Sequence, residues 1–319
     1  MTATPPVYKR NFTASAFVVA ATFIAGPLFA AGSGDPRVPP GRDPGGVPVA
    51  LIGPGIDYRA PEIAQRIARD GEGELIGWDF VDNDLRPFEP EAACPVRPCG
   101  TADDAWRSNP QQLMLGEAGA SKLIVLRTRD GDRGALAAAI AFAARSPARI
   151  IPMLAVGGEP GTAAGTTAGP DWQLMIEAAR RFSNLLFIVP AHGPPISIPG
   201  FDNLAIGNLL IVAPATAAGE VAAGTAGLLP PVADIAVTID PPRTVSLPGT
   251  PPPSERQRAE LAAARVAALA ARLLAADPIL DAHGMKRRIH ALAQPAPEAH
   301  KGRTRSGWIA EPRRHFWLE

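Results

Sequence analysis

The side chains that could perform chemistry in this sequence are few and widely spaced. Ser254, His192 and Asp57 could supply a nucleophile, a general base and an orienting acid. Such a set performs acyl transfer when its members lie within hydrogen-bond distance of each other, about 2.6–3.2 Å. Two of the three also have structural interpretations, which the sequence favours. Ser254 could be the N-cap of a helix that starts with the capping box SERQ, and His192 could be a loop residue beside Gly-Pro-Pro.

Metal and cofactor chemistry finds little support in the residue types. The five histidines show no helical pairing, and the spacing of Cys94 and Cys99 in CPVRPC is not the Cys-x-x-Cys of redox motifs. Two prolines between these cysteines would stiffen a small loop, which favours a local disulfide in an exported protein. The acidic turn over residues 82–91 lacks a recognised calcium-ligand frame, and the glycine-rich residues 157–169 lack a phosphate-binding pattern. We therefore expect no metal and no cofactor.

Seven apolar runs and four helical patterns could position these side chains. The apolar runs cover Val49–Ile52, Glu74–Val81, Lys122–Arg127, Ile150–Ala155, Leu185–Ala191, Leu209–Ala213 and Val232–Val237. The helical patterns cover Pro61–Ala68, Gly134–Ala144, Asp171–Phe182 and Glu255–Ala275. Continuous apolar strands that alternate with helices predict a parallel sheet covered on both faces. The last helix is small or apolar around most of its circumference, which predicts that it is buried.

The N-terminus has the pattern of an export signal. Lys9 and Arg10 precede the apolar run Ala16–Ala25, a Gly-Pro pair breaks that run, and small residues follow. We interpret residues 1–31 as a signal peptide. The alternative is an uncleaved anchor, which would be the chain's attachment to a membrane.

The remaining chain divides into three parts. The Gly/Pro-rich residues 32–48 are expected to form an extended and mobile linker, and residues 49–293 one α/β domain. The Pro-rich, charged residues 294–319 form a tail that either docks on the surface or stays loose. The 31 basic and 31 acidic residues balance, and no run of Lys and Arg is interleaved with aromatic residues. Nucleic acid is therefore not an expected partner.

Four segments resemble, in this order, those of the subtilisin-like serine peptidases (subtilases). They are VALIGPGIDYRAPEI from Val49, GWDFVDNDLRPFEP from Gly77, the strand–helix–strand pattern of residues 121–158, and RVAALAARLLAADPILDAHGMKRRI from Arg265. The resemblance covers most of residues 47–292. It implies an α/β fold of the subtilisin-like kind, a three-layer sandwich in which helices flank a parallel β-sheet.

The resemblance also places the family's catalytic positions on residues that cannot do their work. The acid position falls on Gly53 and the general-base position, in CGTADDA, on Ala102. The nucleophile position falls on Glu260, or on Pro251 when the upstream Gly-Thr is aligned instead. The position of the asparagine that stabilises the oxyanion falls on Gly193. The family's relay of acid, base and nucleophile therefore has no members at these positions.

Three neighbouring features depart from the family pattern in the same region. Pro110 is expected to interrupt a helix that continues from the base position. The groove strand, Ser-Leu-Gly in the family, reads Leu154 to Val156, so the edge that would pair with a peptide carries a bulkier residue. Glu260, inside an apolar helix, is expected to face a water-filled remnant of the cleft or to pair with an arginine such as Arg256.

These observations predict an exported protein, periplasmic or secreted, without peptidase activity. It would bind a peptide or protein partner through the former catalytic cleft. Two alternatives remain at this point. One is an active serine endopeptidase that uses the displaced residues Ser254, His192 and Asp57, and the other is a structural surface platform.

Overall fold

The centre of the domain is a parallel β-sheet, as the apolar runs predict. A computed structural model describes residues 34–89, 110–129, 131–154, 171–192, 206–221, 233–239, 255–310 and 312. Among these residues the strands are β1 (Val47–Gly53), β2 (Gly77–Asp79), β3 (Ser121–Arg127), β4 (Ile150–Pro152), β5 (Leu186–Pro190), β6 (Leu209–Ala215), β7 (Ile235–Thr238) and β8 (Trp308–Ile309). Their order in the sheet is β2-β3-β1-β4-β5-β6-β7-β8, and every pair is parallel.

Helices cover both faces of this sheet. They are α1 (Pro61–Ala64), α2 (Pro110–Glu117), α3 (Arg133–Arg145), α4 (Trp172–Arg181), α5 (Glu255–Ala276) and α6 (Ala282–Ala291), with a short 3₁₀ turn at Glu298–His300. Asp132, Asp171 and Asp281 cap α3, α4 and α6 by accepting hydrogen bonds from backbone amides in the first turn. The fold is therefore α/β with three layers.

Alternate residues of each strand belong to two separate cores. Val49 and Leu51 of β1 pack in the core that contains α2, α5 and α6, whereas Ala50 and Ile52 pack in the core that contains α3 and α4. Because both strand faces are covered, apolar residues occupy consecutive positions rather than every second one. Each fully buried Leu, Ile or Val stabilises the fold by roughly 1.5–3 kcal/mol.

Helix α5 crosses the sheet as a buried element, in agreement with the prediction from its composition. Its residues 259–271 are all buried, and most of them are alanine, which allows close packing on the strands. Its first turns line the edge where β1 and β3 end. Beyond its other end, the Leu280 carbonyl accepts a hydrogen bond of 2.5 Å from Arg149, which lies just before β4. The helix therefore runs opposite to the strands, and its N-terminus lies at their carboxyl-terminal edge.

Pro110 is the first residue of α2 within the described part of the chain. The fixed φ of proline suits the first turn of a helix, where its missing amide N–H costs no intrahelical hydrogen bond. Residues 101–109 lie outside the described residues, so the interruption expected for a helix that continues from the base position stays a prediction. The elements α1, β2 and β4 are shorter than their predicted segments: α1 ends at Ala64, β2 covers only Gly77–Asp79 and β4 only Ile150–Pro152.

The described residues before β1 are extended, as expected, but they are held against the domain. The Tyr58 hydroxyl donates a hydrogen bond of 2.6 Å to the Pro36 carbonyl, and Lys122 pairs with Asp43 at 2.8 Å. Residues 35–46 therefore form an anchored strap, whereas a mobile linker was expected over residues 32–48.

The tail docks on the domain over residues 294–310. Trp308 and Ile309 form the edge strand β8 beside β7, and Gln294 exchanges two backbone hydrogen bonds with Trp308 at 2.8 and 2.9 Å. Ser306 contributes a side-chain hydrogen bond of 2.5 Å to His290 of α6. No helix among the described residues combines the length and the apolar character needed to cross a membrane.

Candidate functional site

A cleft of about 470 Å³ lies at the carboxyl-terminal edge of the sheet. The ends of β1 and β3, the segment after β2 and the first turns of α5 surround it. Its described lining residues are Pro54, Val81, Asp82, Glu89, Arg127, Thr128, Arg129, Arg256, Gln257 and Glu260. Glu260, the predicted nucleophile position, therefore lines the cleft, and so does Pro54, the residue after the predicted acid position Gly53.

Arg127 organises the acidic side of this cleft. Its guanidinium donates to Asp79 at 2.8 Å and to Asp82 at 2.6 Å, and its Nε donates to the Pro54 carbonyl at 3.0 Å. Burial lowers the pKa of Arg127, but the hydrogen bonds to Asp79 and Asp82 outweigh that effect and raise it. Asp79 is fully buried and has no contact with water. Its carboxylate therefore needs a positively charged partner inside the protein, and Arg127 is that partner.

Three carboxylates near Arg127 lie close enough together to coordinate a metal ion. One oxygen from each of Asp35, Asp79 and Asp82 lies within 4.8 Å of the others. The guanidinium of Arg127 already donates to two of the three, so a cation is in place without a metal. Burial raises the pKa of Asp35, the third member.

Glu260 is held by an ion pair on its own helix. Its carboxylate accepts a hydrogen bond of 2.9 Å from Arg256 Nε, four residues earlier, and the residue is 8% exposed. Glu260 thus makes the ion pair with Arg256 that was one of the two expectations, and it also lines the cleft. Gly53 ends β1, and its carbonyl accepts a hydrogen bond of 2.8 Å from the Thr128 amide. Because glycine has no side chain, the acid position offers only backbone.

His192 follows β5 at the same edge of the sheet. The side chain is buried, and its Nε2 has no hydrogen-bond partner among the described residues. Burial, followed by the charge of Arg256, lowers the pKa of His192 to about 4. The imidazole is therefore neutral at pH 7, with a pKa well below the value near the working pH that suits a general base.

Asp57 is engaged by a neighbouring arginine. Its two carboxylate oxygens accept hydrogen bonds of 2.8 and 2.6 Å from the Arg59 guanidinium, and one of them also accepts from the Arg59 amide at 3.0 Å. The Arg59 guanidinium in turn lies 4.9 Å from the centre of the Phe88 ring. Asp57 is thus a turn-stabilising residue in an ion pair.

Several predicted positions lie outside the described residues. They are Ala102, Gly193, Pro251, Ser254, the groove-strand residues Ala155 and Val156, and the cysteines Cys94 and Cys99. The general-base and oxyanion assignments, the displaced serine and the disulfide therefore stay predictions. Helix α5 begins at Glu255, the residue after Ser254, which is where a helix capped by Ser254 would begin.

Three residues at and after the end of β3, Arg127, Thr128 and Arg129, line the cleft but were not among the predicted site residues. Asp79, in the segment GWDFVDND, was not predicted as a site residue either. One signal could have located them, because the carboxyl ends of parallel strands meet at one edge of a sheet and polar residues there form sites. Their pairing across 48 positions of sequence is visible only in three dimensions.

The architecture and the position of the cleft define a class of fold, that of the subtilisins. A cold-adapted subtilisin-like serine proteinase matches with a TM-score of 0.53 at 14% identity, over 86% of this chain and 92% of that one. A lanthipeptide protease matches with a TM-score of 0.54 at 12% identity, over 85% and 88% of the two chains. MycP1 with its N-terminal propeptide removed matches with a TM-score of 0.50 at 17% identity, over 87% and 93%.

The chain therefore has a subtilisin-like fold, which confirms the fold that the sequence resemblance implied. No protein-family model and no curated protein sequence matches it. At identities of 12–17% the likeness concerns the fold alone, and function has to be argued from the site.

Proposed function

We propose that this protein is a non-catalytic relative of the subtilisin-like peptidases that binds a peptide or protein partner through its cleft. The observation that carries the proposal is the cleft itself, of about 470 Å³, at the edge where a subtilisin-like fold presents its active site. Concave sites with a few charged groups are the usual places where proteins bind ligands. The cleft persists although Gly53 and Glu260 stand at two of its expected catalytic positions.

The chemistry of those two positions supports the non-catalytic part of the proposal. Hydrolysis of this kind needs an acid that orients a base and a hydroxyl that the base activates. Gly53 has no group to accept a hydrogen bond from a base, and the Glu260 carboxylate is bonded to Arg256. Removing members of such a relay lowers the rate by about 10⁴ to 10⁶.

Export is part of the same proposal. The N-terminal pattern of Lys9 and Arg10, an apolar run and small residues supports delivery to the periplasm or the exterior. In that setting a pseudopeptidase would meet peptides and other exported proteins.

Peptide binding tests the proposal directly. An array of immobilised peptides would be probed with the purified wild-type protein, with Gln257→Trp and with Gln173→Trp. Gln257 is an exposed residue that lines the cleft, and an indole there would fill it. Gln173 is exposed on α4 and is the matched control. We expect wild type and Gln173→Trp to bind the same peptides and Gln257→Trp to lose them.

A fluorophosphonate probe, which labels activated serines, tests the absence of catalysis. We expect no labelling of the protein. Labelling of Ser254 would refute the non-catalytic proposal in favour of a displaced serine peptidase. Failure of every peptide to bind would refute the binding proposal and leave the domain as a structural platform.

A further inference from the structure

The charged side chains that line the cleft are almost all paired with each other. Asp82 and Glu89 pair with Arg127, at 2.6 and 3.7 Å, and Glu260 pairs with Arg256 at 2.9 Å. Arg129 differs, because it is exposed and its side chain makes no ion pair or hydrogen bond within the part of the chain that the structure describes. Among the described residues, therefore, no side chain or backbone group uses the charge and the five N–H donors of this guanidinium.

The start of helix α5 adds to the positive potential at the same place. The helix has 22 residues, and its second, third and sixth residues, Arg256, Gln257 and Glu260, line the cleft. The N-terminus of a helix carries a partial positive charge of about half a unit. The carboxylate of Glu260 is neutralised by Arg256, so it does not cancel this potential.

We propose that the cleft recognises the carboxylate of a peptide ligand, and that the guanidinium of Arg129 is its principal partner. This inference rests on the proposed function and specifies the class of ligand. Arginine suits the role, because its planar fork can donate two parallel hydrogen bonds to one carboxylate. The carboxylate can belong to an Asp or Glu side chain or to the C-terminus of a peptide, and the experiment separates the two.

Other ligand classes fit the lining less well. An apolar side chain would find only Pro54 and Val81 as apolar partners among the described lining residues. A cation would compete with Arg127 for Asp82 and Glu89, which are already paired. An anion gains a partner and breaks no existing ion pair, because Arg129 is available.

The test uses short blocked peptides and side-chain NMR. The peptide Ac-Ala-Ala-Glu-Ala-Ala-NH₂ would be compared with its Gln twin, and Ac-Ala₅ as the free acid with Ac-Ala₅ as the amide. Affinities would be measured by isothermal titration calorimetry in wild type, Arg129→Gln and Arg129→Lys, and the Arg129 Nε–H signal would be followed in the wild type. Arg288→Gln is the control, because Arg288 is an exposed arginine on α6 that pairs with Asp277 away from the cleft.

We expect at least one acid peptide to bind roughly fivefold more tightly than its neutral twin, which corresponds to an exposed charge pair. Arg129→Gln would remove that preference, Arg129→Lys would keep part of it, and Arg288→Gln would leave it intact. If the preference appears between the Glu and Gln peptides, the ligand group is a side-chain carboxylate; if it appears between the free acid and the amide, the ligand group is a C-terminal carboxylate. Added salt would weaken the preference by screening.

Carboxylate recognition and the peptide-binding function can fail separately, and two outcomes distinguish them. Equal binding of acid and neutral peptides would sink carboxylate recognition while leaving the proposed peptide-binding function in place. A shift of the Arg129 signal with sodium acetate, combined with no binding by any peptide here or on the array, would sink the peptide-binding function and leave an anion site.

Discussion

His192 should make the stability of the domain depend on pH between about pH 6.5 and pH 4. Burial and the charge of Arg256 lower its pKa in the folded protein from 6.5 to about 4. In the unfolded chain the imidazole regains its ordinary pKa, so between these two values the unfolded state binds more protons than the folded state. The contribution to the free energy of unfolding is therefore complete above about pH 6.5 and is lost progressively as the pH falls toward 4.

The size of this effect follows from the difference between the two pKa values. Each unit of pKa corresponds to about 1.4 kcal/mol, so lowering the pH from about 7.5 to about 4.5 should cost on the order of 2.5 kcal/mol through this one group. His192→Gln should remove this part of the pH dependence, because an amide does not titrate.

Urea unfolding followed by tryptophan fluorescence at a series of pH values measures the effect. The quantity of interest is the difference in pH dependence between wild type and His192→Gln, since the overall stability of the variant can also change. His290 is partly buried and has a lowered pKa as well, but it is present in both proteins and cancels in the difference. His283→Gln, which alters an exposed histidine on α6, is the control. Parallel curves for wild type and His192→Gln would refute the assignment of a buried, neutral His192.

Three further predictions concern packing, backbone and the cleft. Arg265→Met should lower the free energy of unfolding by about 3–5 kcal/mol, because it removes the partner of the buried Glu117 carboxylate, 3.1 Å away. In urea titrations, the double variant Arg265→Met/Glu117→Leu should recover most of that loss, because it leaves no unpaired buried charge. Gly46→Ala should lower the melting temperature more than Gly45→Ala. Both glycines have a positive φ, but a Cβ on Gly46 would lie 2.1 Å from the Ala120 carbonyl oxygen, whereas a Cβ on Gly45 would have no atom within 4 Å. Glu260→Ser should give no burst of product from a chromogenic ester, since no acid is restored at the end of β1; a burst would show that the scaffold still activates a hydroxyl.

The parts of the fold that were predictable from sequence are those whose signal is continuous along the chain. The run Lys122–Arg127 matches β3 almost residue for residue, because burial on both faces makes the four interior positions, Leu123 to Leu126, apolar. Strand β8 carries no such signal. It has two residues, Trp308 and Ile309, and exists because β7 and Gln294 supply its hydrogen-bond partners from distant positions. A short edge strand of this kind depends on tertiary contacts, so no pattern in the neighbouring residues predicts it.

The ion pairs of the cleft also differ in whether the two partners are close or distant in sequence. The pairing of Glu260 with Arg256 was predictable, because residues four apart on a helix are neighbours whatever the rest of the fold does. The pairing of Arg127 with Asp79 required the relative position of β2 and β3. Both pairs have one physical consequence, since each gives a charged group at the carboxyl-terminal edge of the sheet a partner of opposite charge. Among the described charged residues that line the cleft, Arg129 is the one that these ion pairs leave out, and for that reason the proposed ligand contact is assigned to its guanidinium.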